Sequence, residues 1–348
     1  MNLFKNKLTF KIIKYLDLKF SFIIPVYNRP DEIRELLLSL ASQSLKDFEV
    51  FIIEDGSTIT SKHIVEQFTH LNIKYFYKEN SGPGDSRNFG MLHSQADYFI
   101  ILDSDCLLPK HYFKQVKESL EKDFVDCFGG PDAALASFSN IQKAINYSMT
   151  SLLTTGGIRG GAENLQTFQP RSFNMGLSKK AFAATKGFGN IHPGEDPDLT
   201  IRLWKQKYKT TLFKNAFVYH KRRIDWQKFY LQVNKFGKAR PILDHWHPEY
   251  KKLTFVFPTL FLIGILFSIT SVFFGCYIPL IGLLFYLIAI LFHSTLNNKS
   301  LKIGCLSVMA TLIQFYGYGT GYAKSYYKIK WLKQKPETAF PELFFKIL

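Results

Sequence analysis

The chain has 348 residues, 47% of them hydrophobic, with a formal net charge of +16. That length holds one large domain plus an appendage. The positive charge comes without a helix-turn-helix, zinc-finger or ribonucleoprotein signal, so no nucleic acid is expected as partner; the four cysteines (Cys106, Cys127, Cys276, Cys305) lack metal-ligand spacing and read as buried thiols of a reducing compartment.

Met1–Lys19 is a basic leader with five lysines and no long apolar core. It lacks the anatomy of a secretory signal and reads equally as a short helix on a membrane or a frayed leader. Phe20–Val26 is a strand run. Pro30–Ser42 repeats Ile33, Leu36, Leu37 and Leu40 at helical spacing, with Pro30 and Asp31 at its start. Phe48–Ile53 is a second strand, Ser61–Thr69 a helix and Ile73–Tyr77 a third strand. Gly82-Pro83-Gly84 opens a helix over Ser86–Ser94. Tyr98–Leu102 is apolar at every position, the pattern of a strand covered on both faces. Repeated βα units predict an α/β fold: a mostly parallel sheet with helices on both faces. Beyond Pro109 the pattern is mixed. Strands are expected at Phe124–Phe128, Phe173–Leu177 and Thr210–Tyr219, helices at Ile141–Thr154 and Asp196–Gln206, and a glycine-rich loop at Thr155–Gly161.

No Asp, Glu, Lys or Arg occurs from Leu253 to Asn298. Leu253–Phe274 and Ile278–His293 would fit two bilayer crossings, joined near Gly275-Cys276-Tyr277. A third uncharged stretch, Ile303–Ala323, carries Gln314, Gly317, Gly319 and Gly321. It fits a closely packed third span, a re-entrant segment or an interfacial helix. From Lys205 to Lys252, 13 Lys or Arg stand against three acids, Asp225, Asp244 and Glu249. The positive-inside rule then puts the preceding domain in the cytoplasm. The tail Lys324–Lys335 is basic too, with Tyr326, Tyr327 and Trp331 interleaved. An even number of crossings keeps it on the cytoplasmic membrane surface, against the lipids.

The chemistry gathers at strand ends. The Tyr98–Leu102 run stops abruptly in Asp103-Ser104-Asp105, two carboxylates at the edge where ligands of parallel sheets bind. Such hard oxygens suit Mg²⁺ or Mn²⁺ carrying a diphosphate. Pro25-Val26-Tyr27-Asn28-Arg29-Pro30 and Glu54-Asp55-Gly56-Ser57 end the first two strands on the same edge. Tyr27 could flank a nucleobase, and Asp55 could accept hydrogen bonds from a base or ribose. Backbone donors where Gly82-Pro83-Gly84 runs into its helix suit anions, and Arg87 adds a fixed cation. No Gly-Lys-Ser/Thr follows, so the loop is not a P-loop and ATPase chemistry is disfavoured. Gly194-Glu195-Asp196-Pro197-Asp198 puts carboxylates at a helix start, as caps or with one as a proton acceptor.

Five motifs in order, Phe22-Ile23-Ile24-Pro25-Val26-Tyr27-Asn28, Glu54-Asp55-Gly56-Ser57, Ser86-Arg87-Asn88-Phe89-Gly90, Leu102-Asp103-Ser104-Asp105 and Gly194-Glu195-Asp196, resemble an inverting family 2 glycosyltransferase with the GT-A fold. The resemblance covers roughly residues 20–225. It implies that Asp105 binds a divalent metal, that Asp103 contacts ribose or metal, and that Pro25, Tyr27, Asn28, Asp55 and Arg87 line the nucleotide pocket. It makes Asp196 the general base with Glu195 beside it, and His220 a further metal ligand. Asn174 and Gly156–Gly161 become candidates for sugar contacts. The implied donor is a nucleotide-diphosphate sugar, with a UDP-sugar expected.

The chain lacks the Gln-x-x-Arg-Trp motif of processive synthases, Arg223-Ile224-Asp225-Trp226 being the nearest, so transfer of one sugar is expected. The expected organisation is a catalytic domain over 20–225, a basic juxtamembrane segment over 226–252, a membrane region over 253–323 and a basic aromatic tail over 324–348. The expected location is the inner membrane, multi-pass, with the catalytic domain cytoplasmic and a glycan or lipid-linked acceptor. A polyprenyl-phosphate glycosyltransferase and a catalytically silent scaffold are the alternatives.

Overall fold

The computed structural model describes residues 18–133, 138–155, 168–220 and 225–345. The leader up to residue 17, the Gly156–Gly161 loop and residues 221–224 lie outside the described residues. The first half runs β1 (Phe20–Val26), α1 (Pro30–Ala41), β2 (Phe48–Asp55), β3 (Ile73–Lys78), α2 (Pro83–His93) and β4 (Tyr98–Leu102). β5 (Cys106–Leu107), α3 (Tyr112–Lys122), β6 (Cys127–Gly129), β7 (Asp132–Ala133) and α4 (Asn140–Thr150) follow. Then come β8 (Asn174–Ser178), α5 (Lys179–Thr185), α6 (Glu195–Lys205), β9 (Thr210–Leu212) and β10 (Val218–His220). Four longer helices close the series: α7 (Trp226–Trp246), α8 (Phe257–Val272), α9 (Ile278–Asn298) and α10 (Leu301–Tyr326). The described residues fall into two compact units, one holding 18–133, 168–220 and Phe345, the other 138–155 and 225–344.

The first unit is built on a seven-stranded sheet in the order β3-β2-β1-β4-β8-β6-β9. β3, β2, β1 and β4 are parallel neighbours, β8 runs antiparallel to β4 and β6, and β9 is parallel to β6. The period-2 alternation of the apolar strands feeds two cores. Phe22, Ile24 and Val26 of β1 and Ile100 and Leu102 of β4 join Ile33, Leu36 and Leu40 of α1 on one face. Ile23, Phe99 and Ile101 join Met91 of α2 and Leu199 and Leu203 of α6 on the other. Each such fully buried aliphatic or aromatic side chain contributes about 1.5–3 kcal/mol, which is why this sheet tolerates no polar face. A three-stranded sheet, β5-β10-β7, lies in the same unit. Its register sets His220 opposite Cys106.

Several elements differ from the sequence expectation, three of them as follows. Only Lys62–Val65 of the Ser61–Thr69 run is α-helical. The rest turns tightly, with Gln67 N donating to Ile64 O and Phe68 N to Val65 O, and this places Phe68 and Leu71 in the core. The expected strand Thr210–Tyr219 is two strands in two sheets, broken where Ala216 N donates back to Phe213 O. α3 was not foreseen, although Tyr112, Phe113, Val116 and Leu120 form a buried helical stripe.

The second unit is helical. Gly317 and Gly321 of α10 lie where a Cβ would meet Val233 and Asn234 of α7, and Gly319 where it would meet Pro258 of α8. The glycine series therefore serves close helix packing. α8 with the turn before it (Leu253–Val272) and α9 are long and apolar enough to cross a membrane, and each buries little of its surface within the protein. Leu260, Ile263, Phe267, Ile281, Phe285 and Phe292 are all exposed.

Gly90 brings α2 against the sheet: a Cβ there would stand 2.7 Å from Ile53 Cδ1 and 2.8 Å from Ile23 Cγ2. Gly90→Val overpacks this contact and is expected to destabilise the protein by about 1–3 kcal/mol, read as a lowered midpoint in urea.

Candidate active site

β1, β2 and β4 are parallel and end at one edge, so the residues after Val26, Asp55 and Leu102 emerge together. Asn28 turns the chain there, with φ +54°, a left-handed value that Asn accepts better than most residues. Its Oδ1 accepts from Thr58 N at 2.8 Å and Ile59 N at 3.0 Å, and its own N–H donates to Ser57 Oγ at 2.8 Å. The exits of β1 and β2 are thereby tied to one another. Pro25 lies within β1, buried, and Tyr27 beside it is 52% exposed.

Asp55 is turned inward. Its Oδ1 accepts from Lys78 Nζ and Ser81 N, each at 2.9 Å, and its Oδ2 from Gly82 N at 2.9 Å. It pins the loop that starts α2, where Gly82 has φ +93°. Neighbouring Glu54, also buried, accepts from Ser61 N at 2.9 Å and Tyr75 Oη at 3.2 Å.

α2 carries Arg87 into the interior, where the side chain is 2% exposed. Its Nη2 donates to Asp103 Oδ1 at 2.7 Å and its Nη1 to Glu195 Oε1 at 3.2 Å. The Phe188 ring lies 5.2 Å from the guanidinium carbon. One cation thus joins the carboxylate after β4 to the carboxylate opening α6. Glu195 also meets His192 Nδ1 at 2.9 Å and accepts from Gly194 N at 3.0 Å. Burial works against its ionisation, but His192 and Arg87 outweigh that and hold its carboxyl well below the usual range.

Asp196 is the contrasting carboxylate. Burial first, and the negative charge of Glu195 second, push it up to about 6. Its Oδ1 is buried and has no hydrogen-bond partner among the described residues. Asp198, two residues on, is spent on Arg202, whose Nη2 stands 2.8 Å from its Oδ2.

Asp105 sits apart from Arg87. Arg29 Nη1 approaches its Oδ2 at 2.6 Å, and His220 Nε2 lies 3.1 Å from its Oδ1. The His220 ring stacks on Phe173 with centroids 4.8 Å apart. Donor atoms of Asp105, Cys106 and His220 fall within 4.8 Å of one another. Burial pushes the Cys106 thiol well up, and it donates to Phe173 O at 3.3 Å. That leaves one oxygen donor residue and one nitrogen donor residue, a set that suits a divalent cation of the harder kind.

Of the residues singled out in the sequence, Arg87, Asp103, Glu195 and Asp196 form one connected cluster, and Asp105 and His220 form a second beside Asp103. Asn174 is fully buried, with Nδ2 donating to Ala216 O and Oδ1 accepting from Tyr112 Oη. Arg29, His192 and Phe173 were not singled out. Arg29 stood inside a quoted motif, whereas nothing local marks His192 or Phe173 as neighbours of the acids.

Residues 21–185 match the family model described as Glycosyl transferase family 2. An uncharacterized glycosyltransferase from Rickettsia conorii is 39% identical over 115 residues, which are 31% of this chain and 18% of the relative. The GalNAc(5)-diNAcBac-PP-undecaprenol beta-1,3-glucosyltransferase of Campylobacter jejuni is 24% identical over 193 residues, 54% of this chain and 60% of the relative. The chain spans 18% of the length of the first two curated relatives it matches. Among solved structures, the mannosyltransferase PcManGT from Pyrobaculum calidifontis, in complex with GDP-Man and Mn²⁺, superposes with a TM-score of 0.61 at 12% identity, covering 88% of this chain and 93% of that one. At that identity the likeness concerns the fold, which is GT-A-like.

Arg87→Met removes the cation shared by Asp103, which solvent partly reaches, and the buried Glu195, which then keeps only His192 and Gly194 N among the described residues. A loss of about 3–5 kcal/mol in urea unfolding is expected, the range for breaking a buried ion pair from one side. The order of strands, the motifs at their ends and the matched family model agree: residues 21–185 form a family 2 glycosyltransferase domain.

Proposed function

We propose that the chain is an inverting glycosyltransferase that moves one sugar from a nucleotide-diphosphate donor, a UDP-sugar, to a hydroxyl of a lipid-linked glycan. The observation that carries this reading is Asp196: a carboxylate pushed up to about 6, with one buried oxygen left without a partner, beside the ion-paired Glu195.

In this reading Tyr27, half exposed where β1 ends, offers a face to the nucleobase. Asn28 and Asp55 act by shaping the loops around the nucleotide, since their side-chain oxygens accept from backbone N–H groups. Asp105 and His220 would hold a divalent metal, Mn²⁺ or Mg²⁺, with Asp103 on its flank. When bound, such a cation supplies positive charge for the departing diphosphate. Arg87 fixes Asp103 and Glu195 and thereby the start of α6. Asp196 takes the proton of the acceptor hydroxyl at its unpartnered Oδ1. Attack then comes from the side of the sugar opposite the leaving group, which inverts the anomeric centre. The acceptor class is supported by the Campylobacter jejuni relative, whose name specifies an undecaprenol-linked glycan.

Asp196→Asn is expected to lower transfer by about 10²–10⁴-fold while leaving nucleotide binding intact, measured with a radiolabelled donor and by calorimetry. Activity of the unaltered protein should fall as pH drops through about 6, because the base must be unprotonated to work. Full activity of the Asn variant would point to the polyprenyl-phosphate alternative, whose nucleophile needs no such base. Absence of transfer and of metal-dependent nucleotide binding in the unaltered protein would point to a silent scaffold.

The second unit holds the chain in the inner membrane in the same proposal. α8 and α9 form a hairpin across the bilayer, and the basic stretch from Lys205 to Lys252 stays on the cytoplasmic side. The turn between them carries the exposed Cys276. A membrane-impermeant maleimide added to intact cells should label Cys276, and Cys276→Ser should remove that label. No labelling before lysis would rule out the crossing.

A further inference from the structure

Both oxygens of Asp105 face cationic or donor groups: Arg29 Nη1 lies 2.6 Å from Oδ2 and His220 Nε2 3.1 Å from Oδ1. A guanidinium so placed stands where a second positive charge must come if the same carboxylate is to ligate a cation. Two like charges at that range, with Asp105 only 11% exposed, repel strongly. The metal reading therefore requires Arg29 to leave.

The two arginines of the site differ in whether they can. Arg87 is 2% exposed and held by two carboxylates. Arg29 is 30% exposed, contacts Asp105 through one nitrogen, and sits at the entrance to α1. Turning it away disturbs little packing. A guanidinium that gives up a carboxylate needs another anion, and the fork geometry of arginine suits phosphate oxygens. A nucleoside diphosphate arriving at this strand edge brings them.

We infer that Arg29 couples the divalent cation to the donor's diphosphate. Without a diphosphate it holds Asp105 and opposes the cation. With one, it moves to the phosphate oxygens and releases Asp105 to the metal. The inference rests on the reading of Asp105 and His220 as the cation's ligands. Linkage makes the effect reciprocal: the diphosphate tightens the cation by the factor by which the cation tightens the diphosphate.

The test is Mn²⁺ binding to the full chain in detergent, followed by electron paramagnetic resonance, without nucleotide and then with UDP or GDP, each referenced to a protein-free control. The unaltered protein should bind Mn²⁺ weakly alone and about tenfold or more tightly with the nucleotide it accepts, within the usual span for coupled ligands. Arg29→Gln should bind Mn²⁺ alone about threefold or more tightly than the unaltered protein, and the gain from nucleotide should shrink. Arg29→Met, which also removes the charge at similar length, should repeat the result. Nucleotide-free Mn²⁺ affinity that rises by less than about threefold in both variants overturns the role of Arg29, provided Asp105→Asn abolishes Mn²⁺ binding. If Asp105→Asn leaves Mn²⁺ binding unchanged, the ligand reading itself fails and the inference falls with it.

Discussion

The buried guanidinium of Arg87 is the constraint from which the rest of the site follows. A charge with 2% exposure persists only when it is paired, and here Asp103 and Glu195 pair it. The pairing fixes the loop after β4 against the start of α6, two segments far apart in the chain. With His192, the larger contributor, it also keeps Glu195 ionised despite burial. An ionised Glu195 is in turn one of the two reasons that Asp196 holds its proton up to about 6. His192 and Arg87 together therefore help split two adjacent carboxylates into a lasting anion and a group able to exchange a proton near neutrality, the division of labour expected of a pair with separate roles.

Much of the first unit was legible because its signal is local. β1 and β4 begin and end where the apolar runs do, since a strand with both faces covered is apolar almost throughout, Ser21 being the one polar residue of β1. The failures are equally physical. Thr210–Tyr219 reads as one strand only if Lys214-Asn215, which forms the turn between its halves, is overlooked, and the pairing of Leu212 with Gly129 and of Val218 with Asp132 assigns those halves to different sheets. Sequence carries the composition of a strand but not the identity of its neighbour. The same limit governs the site. Asp103 and Asp105 announced themselves by ending an apolar run, whereas the place of His220 depends on the antiparallel register that sets it opposite Cys106.

In the second unit, composition and structure agree for a different reason. α8 and α9 are apolar around their whole circumference, which a core helix of a soluble protein seldom is, and they leave those side chains uncovered. α10 is different. Its glycines meet α7 on one side and α8 on another, so its lower hydropathy reflects a helix selected for backbone approach to its neighbours. Three uncharged stretches that look alike in the sequence thus divide into two that expose their surface and one that spends it on packing.

The Asp-Ser-Asp spacing also divides. Asp103 faces a guanidinium that cannot move without leaving buried charges unpaired, so its own charge is committed. Asp105 faces one that is partly exposed, on a loop, and singly bonded. Of the two, only Asp105 has a partner that can be exchanged for another cation without dismantling the core. On the proposed reading, this makes Asp105 the ligand and Asp103 the strut, a distinction that the two identical letters cannot carry. The physical difference is the burial of the arginine on the other side of each.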